Sequence, residues 1–165
     1  MGIVRVMKHL LTPPWLARRH FGRALVDEVG RAVAASEGRH RGELRFVVEG
    51  PLPMAQAWQG VSARQRAAEL FASEGVWDTE ENSGILIYVQ LVDRRVEILA
   101  DRGIAARVPQ AEWDAICRSM ETAFKAGDYR GGALAAVTRS SELLVAHFPA
   151  GDNNPNELPD QPLVL

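Results

Sequence analysis

The stretch GILIYVQLVDRRVEILAD, residues 84–101, decides the fold, because two different strand patterns meet in it across one turn. Ile85, Leu86, Ile87, Tyr88 and Val89 follow one another without a polar break. So short a run, rich in β-branched and aromatic residues, predicts a strand buried on both faces. A helix needs more length, and a membrane span needs about 20 apolar residues. Residues 95–101 alternate instead: Val96, Ile98 and Ala100 point one way, and Glu97, Leu99 and Asp101 the other. The intervening LVDRRV fits a tight hairpin with Asp93-Arg94 at its tip. That turn sets Val92 opposite Arg95, Leu86 opposite Asp101 and Gly84 opposite Gly103.

The flanking sequence supplies helices. Phe21, Leu25, Val29, Ala32 and Val33 recur at helical spacing, and Gly38 is a stop signal. GELRFVVEG (42–50) reads as a strand with Leu44, Phe46 and Val48 on one face. Ser62 is placed to cap a helix running to Glu74, with Ala67, Leu70 and Phe71 inward. Strand, helix and strand without a hairpin predict a right-handed crossover and parallel pairing. Downstream, Trp113, Ile116, Cys117, Met120 and Phe124 share a helical face, and Leu134, Val137, Leu144, Val145 and Phe148 form the stripe of a last helix. The predicted fold class is α/β, with helices on both faces of a small mixed β-sheet.

At 165 residues and 47% apolar content, one domain with a proper core is expected. A net charge of −2 gives no reason to expect a nucleic-acid partner. The charge is uneven, however. Residues 1–23 hold Arg5, Lys8, Arg18, Arg19 and Arg23 with no acid, and residues 150–165 hold Asp152, Glu157 and Asp160 with no base. Three segments follow: a basic N-terminal arm (1–15), the α/β domain (16–149), and an acidic tail (150–165) whose Pro and Asn predict disorder. Pro13-Pro14 ends the first apolar stretch short of a signal core, and nothing later reaches spanning length. Cys117 has no partner cysteine and reads as a buried structural thiol, in keeping with a reducing cytoplasm.

Parallel pairing places the start of the 43–49 strand level with that of the 85–91 strand. His40 and Glu43 then approach WDTEEN (77–82) and Asp101. Asp78, Glu80, Asn82 and Asp101 are candidate ligands for a hard cation, Ca²⁺ or Mg²⁺. His40, Glu43, Arg102 and Arg130 are candidates to support them or to face an anion. Plainer readings stand beside these: a solvated loop for 78–82, a strand-end cap for Asp101, a solvated helix end for His40, and an inter-helix turn capped by Asp128 around Arg130. The loop is no EF-hand, since counting from Asp78 the required glycine falls on Ser83 and the closing glutamate on Val89. Neither a G-x-S-x-G elbow, nor a P-loop, nor a paired-cysteine zinc signature is present.

NSGILIYV, DRRVEILADRGI and AFKAGDYRGGALAAV, in that order and spacing, resemble the TPM domain, also called the TPM phosphatase domain. The likeness runs from about Glu43 to Phe148, and HRGELRFVVE and VWDTEENSGILIY resemble a compact bacterial branch that often accompanies membrane-associated partners. Asp101-Arg102-Gly103 stands where Gly-Tyr-Gly is more usual in the family. The resemblance implies a three-layer α/β/α sandwich, divalent-cation binding in some members and weak acid phosphatase activity in some. Two functions follow as expectations. One is a cation-binding interaction domain acting with a membrane-associated protein partner, cytoplasmic and peripheral to the inner membrane face. The other is a weak metal-dependent acid phosphatase.

Overall fold

A computed structural model of the chain describes residues 2–152 and 154–165; Met1 of the arm and Asn153 of the tail lie outside the described residues. In chain order the elements are α1 (Ile3–Leu11), α2 (Leu16–His20), α3 (Arg23–Glu37), β1 (Glu43–Glu49), α4 (Met54–Gln59), α5 (Ala63–Ser73), β2 (Gly84–Gln90), β3 (Arg95–Ala100), α6 (Arg102–Ala105), α7 (Gln110–Lys125), α8 (Tyr129–His147) and β4 (Leu163–Val164). The strand order is β3-β2-β1-β4. β1 pairs in parallel with both β2 and β4, and β2 pairs antiparallel with β3. The fold is the expected α/β sandwich on a small mixed sheet.

Period-two alternation splits the sheet residues between two cores. Leu44, Phe46 and Val48 of β1, Ile85, Ile87 and Val89 of β2, and Val96 and Ile98 of β3 pack against Val29 and Val33 of α3, Trp113, Ile116 and Met120 of α7, and Val137 and Leu144 of α8. On the other face Val47, Leu86 and Tyr88 meet Ala63, Ala67 and Leu70 of α5, together with Leu158. α5 begins where predicted: the Ser62 hydroxyl accepts from Gln65 N (3.2 Å), and Gln65 Oε1 accepts from Ser62 N (2.9 Å), which closes a capping box.

The second face also carries a polar cluster. Glu49, 2% exposed, accepts from Arg66 Nη2 (2.8 Å) and from the Tyr88 hydroxyl (2.5 Å). Arg66 also reaches Glu69 (3.1 Å), three residues along the same helix. Burial is the first cause of the upward shift of the Tyr88 phenol, with the Glu49 charge next, so it stays a protonated donor.

Two expectations are corrected. The hairpin register differs by two residues, with Gln90 opposite Arg95 and Leu86 opposite Leu99. The connection is wider than a two-residue turn. Gln90 Oε1 accepts from Val92 N (2.8 Å), Arg94 adopts φ 53°, and the Asp93 side chain is taken by Arg5 (2.7 Å) and His9 (3.1 Å) of α1. The tail is not disordered over its described residues. Leu163 and Val164 pair with Val47 and Val48, Leu165 N donates to Val48 O (2.9 Å), and Gly50 N donates to Leu165 O (3.0 Å). Leu158 fills the second core. An open strand edge and an apolar hollow outweigh the local preference of a Pro- and Asn-rich segment for disorder.

Candidate functional site

The acidic end of the sheet is assembled by backbone contacts that need glycine. Asn82 sits in the left-handed region (φ 51°), and its carbonyl accepts from Gly103 N (2.9 Å) and Ile104 N (3.3 Å). A Cβ on Gly103 would overlap the carbonyl oxygens of Glu81 and Asn82, and one on Gly84 would overlap Val76 O. The two glycines let loop 77–83 close onto the ends of both strands. Asp101 N donates to Gly84 O (2.8 Å), which brings Asp101 level with Gly84 and beside the loop.

Two of the four candidate cation ligands are brought to one place. Asp101 Oδ1 accepts from Arg102 N (2.8 Å) and so starts α6, while Arg102 Nε donates to Asn82 Oδ1 (3.0 Å). Asp101 Oδ2 is buried and has no hydrogen-bond partner among the described residues. Asp78 and Glu80 are exposed on the loop. Among the described residues, no group of three or more His, Cys, Asp or Glu side chains is placed to share an ion.

The supporting candidates are otherwise engaged. His40 is fully buried rather than solvated, because the His40–Pro149 bridge folds the chain over it. Its Nδ1 lies 3.0 Å from Gly42 O and its Nε2 3.2 Å from Ser36 Oγ, and burial lowers its pKa, so the ring is neutral and structural. Arg130 pairs with Glu28 (Nε to Oε2, 2.8 Å), and Asp128 caps α8 by accepting from Gly131 N (2.7 Å), the plainer of the two readings for that turn. Cys117 is half-buried and its thiol is pushed up to about 12, first by burial and then by nearby carboxylates, which makes it a poor nucleophile.

Glu43 clamps the tail. Its carboxylate accepts from Glu157 N (3.2 Å) and Leu158 N (3.1 Å). Arg45, level with Leu86 on the sheet, donates to Pro159 O (3.2 Å) and Gln161 O (2.6 Å) as well as to Glu74. The acidic tail thereby faces the acidic loop. A cleft of about 280 Å³ lies between them, lined by Arg41, Glu80, Glu81, Asp152, Asn154 and Glu157. Glu80 N donates to both carboxylate oxygens of Glu157 (3.2 Å each), and Arg41 pairs with Glu81. Sequence reasoning misses Asp152 and Glu157 here. Their one signal is an acid-only segment that ends in the apolar LVL (163–165).

Crowded carboxylates make this end sensitive to pH. Burial first, then the charges of Glu157 and Asp160, hold Glu43 at about 7. Burial, Glu43 and Asp160 hold Glu37 at about 8. Both sit above the ordinary 4.5, so the folded chain binds more protons than the unfolded chain between that value and 7–8. Stability therefore falls as pH rises through this window and levels off above it. Denaturant unfolding at pH 5.5 and pH 8.5 should show about 2 kcal/mol of this loss assignable to the buried Glu43. Glu43→Gln should lose correspondingly less over the same interval. Equal losses in the two proteins would contradict the assignment.

The comparisons with known proteins agree with this architecture. No curated protein matches the sequence. Among solved structures, the chain is similar to the NMR structure of the BA42 protein from the psychrophilic bacterium Bizionia argentinensis. The TM-score is 0.75 at 23% identity, over 86% of this chain and 93% of that one. It is also similar to the N-terminal domain of a protein from P. gingivalis, solved by solution NMR. There the TM-score is 0.60 at 19% identity, over 79% of this chain and 82% of that one. At such identities these likenesses speak to fold alone. The family model described as the TPM domain matches residues 21–143, which takes in the sheet core, the acidic loop and Asp101, and the chain belongs to the TPM domain family.

Proposed function

We propose that this TPM domain is a divalent-cation-binding interaction domain that docks a membrane-associated protein partner, in the cytoplasm at the inner membrane face. The supporting observation is the buried, unpartnered Oδ2 of Asp101 beside Asn82. A carboxylate oxygen removed from water without a donor is costly. A hard cation that prefers carboxylate and amide oxygens would relieve that cost. Asp101 and Asn82 would hold Ca²⁺ or Mg²⁺, with Asp78 and Glu80 of the exposed loop as the ligands recruited on binding. When bound, the ion supplies positive charge to an end of the sheet where Glu80, Glu81, Asp152 and Glu157 gather. The chain's own contribution is to fix Asp101 and Asn82 through Gly84, Gly103 and Arg102.

The test is an NMR titration of the chain with Ca²⁺ and Mg²⁺, paired with thermal melts in Ca²⁺ and in EDTA. Binding at 100 times the dissociation constant should add about 2.7 kcal/mol, with shifts centred on residues 78–82 and 101–104. Asp101→Asn should abolish both. A wild type that shows neither effect would sink the cation reading. Arg102, exposed beside Asp101, supports the second reading, a weak metal-dependent acid phosphatase. Hydrolysis of an aryl phosphate at about 1–1000 per second, lost with chelator and in Asp101→Asn, would replace the docking function with that activity.

A further inference from the structure

α1 is mounted the wrong way round for a helix in water. Two of its polar side chains, Arg5 and His9, face the protein. Arg5 is bonded to Asp93 (2.7 Å) and to Val61 O (2.7 Å), and His9, 3% exposed, lies between Asp93 (3.1 Å) and Leu52 N (3.0 Å). Helical spacing puts Ile3, Val4, Met7, Leu10 and Leu11 on the opposite side. They are open to solvent, with Ile3 at 71% and Leu11 at 74%. α4 packs against α1 and leaves Met54 and Trp58 exposed, and Trp15 follows α1 in the same state. Two bonded anchors on the inner side keep the helix from rolling its apolar side inward.

The unpaired charge around this surface is basic, the flanking Glu69 being bonded to Gln56 of α4 and paired with Arg66. Lys8 borders the apolar side by helical spacing, and Arg18 and Arg19 are exposed, with the Arg19 guanidinium 6.0 Å from the Trp15 ring. Arg94 and Arg95, exposed in the hairpin that holds α1, carry no ion pair among the described residues. Residues 1–23 contain no acid at all. Two copies meeting through this side would bring like charges together. An anionic lipid surface pairs them instead, accepts aliphatic side chains at its acyl boundary, and is where tryptophan concentrates.

We propose that α1, Trp15 and α4 seat the protein directly on an anionic lipid bilayer. The surface lies at the hairpin end of β2, opposite the acidic loop, and shares no residue with the cation site. It deepens the proposed function only in making lipid itself one of the contacts at the membrane. The experiment uses the full chain with vesicles of phosphatidylcholine alone and of phosphatidylcholine with one-third phosphatidylglycerol, read by co-sedimentation and by the blue shift of tryptophan emission. Wild type should bind the anionic vesicles and not the neutral ones. Leu10→Gln/Leu11→Gln, at exposed positions that leave the melting temperature unchanged, should bind at least about tenfold more weakly. Lys8→Gln/Arg19→Gln should bind about thirtyfold more weakly. Asp101→Asn should bind like wild type, so that the lipid contact and the cation reading stand or fall separately. Failure of the wild type to bind, or binding by both double variants as tight as that of the wild type, would overturn the proposal. So would a wild-type dimer that Leu10→Gln/Leu11→Gln dissolves, which would give the surface to a second copy.

Discussion

A chain ending at Asn156 is expected to lose about 4–7 kcal/mol of stability, as judged from the burial and satisfaction it forfeits. Removal of residues 157–165 strips Leu158 from the second core and β4 from the edge of β1. A buried leucine alone contributes about 1.5–3 kcal/mol. Glu43 loses both donors and becomes a buried carboxylate without a hydrogen bond, at a cost of about 1–3 kcal/mol or more. Arg45, nearly buried, keeps Glu74 but loses two carbonyl acceptors. The sum rivals the whole stability of an ordinary domain, about 5–15 kcal/mol. The exposed edge of β1 should also promote aggregation. Urea unfolding at low protein concentration measures the loss, with Leu158→Ala as the milder variant. A truncated chain that melts within about 3 °C of the full one would show the tail to be an accessory rather than a wall of the core.

Glu49→Ala should cost about 3–5 kcal/mol, the usual penalty for leaving one partner of a buried ion pair behind. The glutamate is the sole anion between Arg66 and the Tyr88 hydroxyl at the hairpin end of β1, and Arg66 would keep only the exposed Glu69. Tyr88→Phe removes a donor and leaves the ion pair intact, so it should cost only about 1 kcal/mol. A double-mutant cycle across Glu49 and Tyr88, read by denaturant unfolding, gives the coupling. A cost for Glu49→Ala below about 1 kcal/mol would mean that water replaces the carboxylate without penalty.

The sequence was legible where local pattern and tertiary demand agree. The unbroken run at Ile85–Val89 could be recognised because both faces of β2 are covered, and alternation in β3 because its two faces meet different cores. Ser62 and Gln65 announced a helix start that needs only each other. Misreadings arose where a distant segment decides the outcome. Asp93 looked like a turn residue, and Arg5, 88 residues away, draws it into the anchor of α1. His40 looked like a solvated helix end until Pro149 closed over it. Within the candidate site, the closing of the loop onto the strand ends brings Asn82 and Asp101 to one sheet end, while Asp78 and Glu80 stay on the exposed part of the loop. The tail's acids were missed because only the open edge of β1 explains why they come back to the loop.

The position of β4 also governs the order in which the molecule can assemble. β2 and β3 are joined by a short hairpin, and β1 reaches β2 across two helices, α4 and α5. The bond from Arg45 to Gln161 O spans 116 residues. Closing so long a loop carries an entropic cost that only finished neighbours can offset. The tail is therefore expected to dock last, along β1 from Arg45 to Val48, once the three-stranded sheet has paired. The same logic makes this strap the first part to detach. Its amides should exchange with solvent through a partial opening well before those of β2, so the protein's earliest excursion from the native state uncovers the edge of β1 while the rest stays folded.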